Sequence, residues 1–397
     1  MPCFAARLST AALAMAFFLA ACGAAKSPPP RAQSVVAESG KVQEYAAEGG
    51  RLVVEELAHG FEFPWALVFL PDARMLVTEK PGRLLLLGTD AKPEAEISGL
   101  PKIFVDGQAG LLDVALSPKF AEDRLVYISF AEPNARGNLA GTAVARGRLD
   151  GHALREVEVI YRQEPKLSSG THVGSRLVFD DAGHLFVTQG ENNKRPTAQE
   201  LDKLQGKLVR IHADGSVPQD NPFFGRDGVR PEIWSYGHRN MQGAALHPVT
   251  RRLWTSEHGP KGGDEINIPE AGKNYGWPII TWGINYSGLT IPEAEGTAKD
   301  GMEQPHHYWP VSPALSGMAF YAADRIPAWR RSLFLGALAG TSLIRLELDG
   351  DRIVGEERLL TQRNERIRDV RVGPDGRVYV LTDAPNGKLL RLDLRVP

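Results

Sequence analysis

Cysteine is almost missing: the 397 residues hold two, Cys3 and Cys22. Cys3 precedes the point where a leader would be cut, so Cys22 has no partner in its own chain, and an oxidising compartment is tolerated without being exploited. The C-x-x-C-H signature is also missing, so the chain shows no attached haem that would reveal an electron acceptor. No D-x-D-x-D-G loop occurs, which excludes an EF-hand. The apolar run from Ala11 to Ala21 is too short to span a bilayer. Helical periodicity is weak except from Ala198 to Lys203. With 46 basic and 48 acidic residues and no concentrated basic patch, nucleic acid is not an expected partner.

What the chain does have begins with a signal. Arg7 supplies a sparse basic region, the run to Ala21 is uncharged, and Leu19-Ala20-Ala21-Cys22 looks like the lipobox of bacterial lipoproteins. Residues 1–21 are therefore expected as a lipoprotein signal peptide, with the Cys22 thiol acylated and the mature chain exported, periplasmic and lipid-anchored. An ordinary cleaved signal with an incidental cysteine preserves the export. Gly23 is not the aspartate of a retention signal, so the outer membrane is expected. From there to about Gly50, Ser27-Pro28-Pro29-Pro30 and a run of small polar residues read as a flexible tether, residues 22–50.

Residues 51–397 carry a repeat. An alternating apolar strand, a turn with Pro, Asp or Gly, and a second strand ending near Thr, Ser or Glu recur six times, starting at Trp65, Leu112, Arg176, Ala244, Gly317 and Val370. Short strands repeated at tens of residues point to blades that bury their faces only against neighbours. The expected fold is all-β, a six-bladed β-propeller of four-stranded antiparallel blades, with Arg51 to Glu56 supplying the outer strand of the last blade. A pair of β-sandwiches is the competing architecture.

Several polar segments precede the first strands of blades, so they converge at one mouth if the ring closes. Gln108 stands between glycines in Asp106 to Leu112, as a ligand-binding amide or part of a tight turn. His172, flanked by small residues, can take a proton from an alcohol, although most lone histidines are structural. Arg239 and Asn240, before Ala244, offer donors for negative charge on oxygen or clamps for loop carbonyls. Ser256 to Asn267 is dense in Gly, Pro and acid, and can turn carbonyls inward toward a hard cation. Arg366 and Arg368 share one side of an extended strand, suiting either a carboxylate-rich ligand or a solvated face.

In order along the chain stand D-G-Q-x-G-L-L (106–112), His172 with Arg176-Leu177, and L-x-G-K-L-V-R-I (204–211). D-G-S-V-P-x-D-N-P-F (214–223), G-H-R-N-x-Q-G (237–243), and S-E-x-G-P with D-E-I-N (256–267) follow. The set ends with N-Y-G-W-P (274–278) and R-x-R-D-V (366–370). From Phe63 to Leu392 the chain resembles the soluble aldose sugar dehydrogenases, the glucose/sorbosone dehydrogenase family, which use pyrroloquinoline quinone (PQQ) and calcium.

That resemblance implies an enzyme oxidising sugars at the anomeric carbon by hydride transfer to PQQ. His172 is then the general base and Arg239 the stabiliser of the reduced quinone oxygen. Calcium is held by the carbonyls of Gly259 and Pro260, and Gln108, Glu191, Asn240, Arg366 and Arg368 surround the cofactor. Glu265 and the Tyr275 carbonyl are implied for a second, structural calcium. Ala339 stands where the family often has a cofactor-facing lysine, and Glu191 where it often has aspartate. The missing cation is expected to weaken cofactor binding unless Lys261 or Arg195 compensates, since one charge pair at 4 Å is worth about 4 kcal/mol near a protein surface. The sugar and the electron acceptor are unknown from sequence. Competing functions are a non-catalytic calcium-binding propeller that has lost PQQ, favoured by Ala339, and a calcium-dependent lactonase-like hydrolase.

Overall fold

The computed structural model describes residues 36–396. The expected signal peptide, Cys22 and the first part of the tether lie outside those residues. Six antiparallel sheets account for the strands, five of four strands and one of five. Their first strands are Pro64–Phe69, Leu111–Leu116, Leu177–Phe179, Met241–Leu246, Leu315–Tyr321 and Ile367–Val372. The far ends of all six line a single cavity of about 980 Å³, so they ring a central channel, and they open blades 1 to 6 of a closed propeller.

Local chemistry explains the repeat. Leu67 and Val77 pair across the first two strands of blade 1, and both strands are buried on their two faces between neighbouring blades. The turn between those strands is fixed by an aspartate accepting from main-chain N–H groups: Asp72 from Arg74, Asp180 from Ala182 and His184, Asp375 from Arg377. The hydroxyls that end the second strands join the blades. Thr78 donates to the Leu112 carbonyl at 2.6 Å, Ser129 to Ser175 at 2.8 Å, Thr188 to Met241 at 3.2 Å and Ser256 to Ser316 at 3.3 Å. Each buried hydroxyl thus satisfies an inner-strand carbonyl of the next blade.

The ring is closed by the N-terminal chain. Gly50–Phe61 pairs with Gly387–Arg395, setting Leu52 against Leu394 and Val54 against Leu392, which agrees with the outer strand expected from Arg51 to Glu56. Two expectations are corrected. Residues 37–47, assigned to the flexible tether, form a fifth strand, Ala37–Ala47, that turns at Gly49 and pairs with Gly50–Phe61. It is largely exposed, so its small polar residues carry no burial pattern. The helical stretch from Ala198 to Lys203 is instead a 3-10 turn, Arg195–Gln199, ended by the extended backbone of Glu200. Among the described residues no helix is long and apolar enough to cross a membrane.

Candidate active site

Two openings sit at opposite ends of the channel. The 980 Å³ funnel lies at the far ends of the first strands and contains none of the expected site residues. The other mouth, where those strands begin, holds a cavity of about 580 Å³ bordered by Trp65, Lys80, Gln108, His258, Arg366 and Arg368. First strands run away from this mouth and second strands return to it. Site residues therefore come from two places in a blade: before the first strand, as with Gln108, His172, Arg239 and Arg366, and just after the second, as with Lys80, Glu191, His258 and Asp383.

His172 is held in the left-handed region at φ 47°, a conformation costly for a side chain of its size and maintained by its surroundings. Its N–H donates to Gln108 Oε1 at 2.8 Å, and Asn192 N–H donates to its carbonyl at 3.2 Å. Nδ1 lies 2.7 Å from Glu191 Oε2. Glu191 is wholly buried and its Oε2 also accepts from Asn193 N–H. The carboxylate fixes the proton on Nδ1 and leaves the lone pair on Nε2. Glu191, which the resemblance sets around the cofactor, pairs with the imidazole through Oε2 and leaves Oε1 without a partner.

Arg239 is nearly buried and donates through one terminal nitrogen to the carbonyls of His258 (3.0 Å) and Gly259 (2.8 Å). Its own N–H donates to Glu257 Oε2 at 2.7 Å, and Glu257 Oε1 lies 2.9 Å from Nδ1 of His238. Burial raises the Glu257 pKa, but His238 outweighs it and holds the carboxyl below its usual range. His258 donates to the Leu315 carbonyl. Burial and the Arg239 charge push its pKa down to about 3, so the imidazole is neutral.

At blade 6, Arg366 and Arg368 do face one side. Both bond Asp383 Oδ2, at 2.9 and 3.3 Å, and Arg368 also reaches Gln242 Oε1 at 3.0 Å. Burial lifts the Asp383 carboxyl, but the two guanidinium charges overcome it and keep it ionised. Two cations against one carboxylate leave surplus positive charge at the mouth. Lys80 also stands here, with Nζ 2.8 Å from the Gly107 carbonyl and 4.5 Å from the Phe63 ring centre.

Neither residue named as a substitute for the cation missing at Ala339 borders this mouth. Arg195 is tied to Glu293 at 3.3 Å and to Asn285, while Lys261 is exposed and borders neither cavity. Lys80 borders the mouth. Sequence reasoning named neither Lys80 nor Asp383, and His258 only within the Ser256 to Asn267 segment; the polar residue following each Thr, Ser or Glu that ends a second strand was the available signal.

Buried polar atoms without partners mark where an anionic ligand fits. Arg239 Nε, Asn240 Nδ2 and Arg368 Nε are such donors, and three unmet donors near surplus positive charge suit the oxygens of PQQ. The cation loop also has a suitable shape. The carbonyl oxygens of Gly262 and Gly263 come within 2.2 and 2.3 Å of where a Cβ on Gly259 would stand, so only glycine allows them to converge. Next to it, Gly259, Glu265 and Tyr275 border a cavity of about 10 Å³, the size of one water or ion. Glu265 is half-buried, accepts from Asn267 at 3.2 Å, and has its pKa pushed well up, first by desolvation and then by the Glu257 charge. A carboxylate so placed fits a hard cation. Gly259, Glu265 and Tyr275 border this cavity, and Pro260 is not among its lining residues.

A propeller with a carboxylate-oriented imidazole and unmet cationic donors at one mouth is built as an enzyme for an anionic ligand. Comparison with known proteins narrows the class. The glucose/sorbosone dehydrogenase family model matches residues 61–391. Aldose sugar dehydrogenase YliI of Escherichia coli is 53% identical over 86% of this chain and 93% of its own. A crystal structure of a glucose dehydrogenase is 58% identical, with a TM-score of 0.85 over 86% of this chain and 99% of that one. The PQQ-bound aldose sugar dehydrogenase of Streptomyces coelicolor is 26% identical, with a TM-score of 0.71 over 90% and 100% of the two chains. The chain belongs to the glucose/sorbosone dehydrogenase family and is an enzyme of the sugar-dehydrogenase type.

Proposed function

We propose that this chain oxidises aldose sugars at the anomeric carbon with PQQ and calcium bound at the 580 Å³ mouth. The observation that carries the reading is the His172–Glu191 pair beside the unmet donors of Arg239, Asn240 and Arg368. When bound, PQQ supplies a two-electron acceptor and calcium a Lewis acid that polarises it. His172 Nε2 takes the proton of the anomeric hydroxyl as the hydride leaves its carbon, and Glu191 stabilises the resulting imidazolium. Arg239 meets the negative charge that develops on the acceptor oxygen. Gln108, Asn240, Arg366 and Arg368 fix the cofactor's polar rim. The Gly259 and Pro260 carbonyls hold the catalytic cation, and Glu265 with the Tyr275 carbonyl holds a structural one.

We also propose export and lipid attachment at Cys22, tested by metabolic labelling with palmitate; a Cys22→Ser chain that still labels rejects the attachment. The enzymatic reading is tested by adding PQQ and Ca²⁺ to purified protein and following dye reduction with a panel of aldoses, together with thermal melting. Activity with a ligand-dependent rise in melting temperature supports it. Neither signal leaves the non-catalytic calcium-binding propeller, and lactone hydrolysis without quinone means the hydrolase.

A further inference from the structure

Blade 4 extends a loop between its third and fourth strands, Asp264–Asn267 and His307–Trp309, that returns to the mouth. It carries Tyr286, which borders the 580 Å³ cavity with Gln108, His258 and Arg366, yet is 74% exposed. The cavity is also lined by Phe63, Trp65 and Leu338 among its cations and amides, and Tyr286 is the aromatic residue there whose face is open to water.

The ring is presented on a fixed support. Asn285 N–H donates to the Leu289 carbonyl at 2.9 Å, Gly288 N–H to Asn285 at 2.8 Å, and the Asn285 side chain to Thr290 at 3.0 Å. Arg195 holds Asn285 Oδ1 from outside at 3.3 Å. One residue earlier, Ile284 pairs in both directions with Lys261, at 2.9 and 3.2 Å. Lys261 directly follows Pro260, so the turn is fastened to the cation loop. The backbone that carries the ring is thus fixed before a ligand arrives.

Depth decides what that ligand is. The unmet donor atoms of Arg239, Asn240 and Arg368 are buried, with Arg368 bordering the cavity, whereas Tyr286 is largely exposed at its edge. A flat anionic cofactor is drawn to those donors, and the molecule above it meets the phenol. An aldose in its ring form has an apolar face of C–H bonds and an edge of hydroxyls, which matches an aromatic face beside polar groups.

We infer that Tyr286 is the stacking platform for the pyranose ring of the substrate, a specificity residue that binds sugar and not cofactor. The inference rests on the dehydrogenase reading above. In the PQQ- and Ca²⁺-loaded enzyme, Tyr286→Ala raises KM for D-glucose and for maltose by about 3- to 10-fold. The kcat stays within about twofold, as expected for an interaction made equally in ground and transition states. Tyr286→Phe and Tyr286→Trp keep the low KM, and Leu289→Ala, on the same turn and 71% exposed, leaves it unaltered. PQQ affinity, followed by fluorescence titration, is the same in Tyr286→Ala and the parent. Saturation-transfer NMR with D-glucose shows weaker transfer in Tyr286→Ala. An unaltered KM in Tyr286→Ala, or a KM rise matched by lost PQQ affinity, overturns the inference while leaving the dehydrogenase in place. A parent enzyme that binds no PQQ and reduces no dye overturns the reading beneath it.

Discussion

Glu191 Oε2 lies 2.7 Å from Nδ1 of His172, and the carboxylate has no exposed surface. An acid so enclosed beside one ring nitrogen decides which nitrogen carries the proton. Glu191→Gln keeps the shape but offers an amide that can donate, which favours the wrong tautomer. The expected result is a fall in kcat of about 10²- to 10⁴-fold with PQQ affinity nearly unaltered. Steady-state kinetics alongside a PQQ titration checks it; equal loss of both means that Glu191 holds the cofactor.

Calcium removal provides a second check. Glu265 is a half-buried carboxyl that accepts from the Asn267 side chain, and it borders a cavity the size of an ion. Treatment with a chelator should lower the melting temperature, and Ca²⁺ should restore it. At a hundredfold excess over the dissociation constant, a single site adds about 2.7 kcal/mol. Glu265→Gln should melt nearly the same with and without Ca²⁺. A full calcium response in that variant removes Glu265 from the metal site.

The N-terminal strands can be separated by truncation. Gly50–Phe61 buries Leu52, Val54, Ala58 and Phe61, whereas Ala37–Ala47 is mostly exposed. A chain beginning at Gly49 should fold and melt within a few degrees of the parent. A chain beginning at Glu62 loses four buried side chains, each worth about 1.5–3 kcal/mol for the larger ones, and opens the ring. It is expected to be insoluble or to melt without cooperativity. Far-UV circular dichroism and size-exclusion chromatography distinguish the cases.

The parts of this molecule that were legible in the sequence are those enforced by burial. Leu67 and Val77 lie in strands buried on both faces between neighbouring blades, so the first and second strands stand out as short apolar runs bounded by turns. The strand from Ala37 could not, because it offers one edge to a partner and its faces to solvent. The site was half legible. Gln108, His172 and Arg366 precede first strands and lie in glycine-rich or basic segments that a plain turn does not need. Lys80 and Asp383 are single residues after second strands, and only ring closure brings them within one cavity. Glu191 was found as a position but not as a role, since nothing along the chain tells a carboxylate facing a ligand from one facing an imidazole.

Between the two openings, the channel is crossed by four charges. Arg176 lies 3.2 Å from Asp113 and 2.9 Å from Asp369, and Arg371 lies 3.0 and 2.9 Å from the same two acids. The aspartates also accept main-chain N–H groups of neighbouring blades, Asp113 from Leu177 at 2.8 Å and Asp369 from Leu67 at 2.9 Å. Burial pulls the Arg176 pKa down, and the aspartates oppose it. Removing one partner therefore leaves a buried charge short of compensation, at a cost of about 3–5 kcal/mol. Asp113→Asn, which keeps an acceptor for Leu177, should lose stability on that scale in urea melts. The exposed pair Arg251–Asp181, at 2.6 Å, is the control, and Asp181→Asn should barely shift the midpoint because solvent screens both groups. If Asp113→Asn is as mild as Asp181→Asn, the four charges do not brace the blades. The site above would then owe its shape to the hydroxyl links alone.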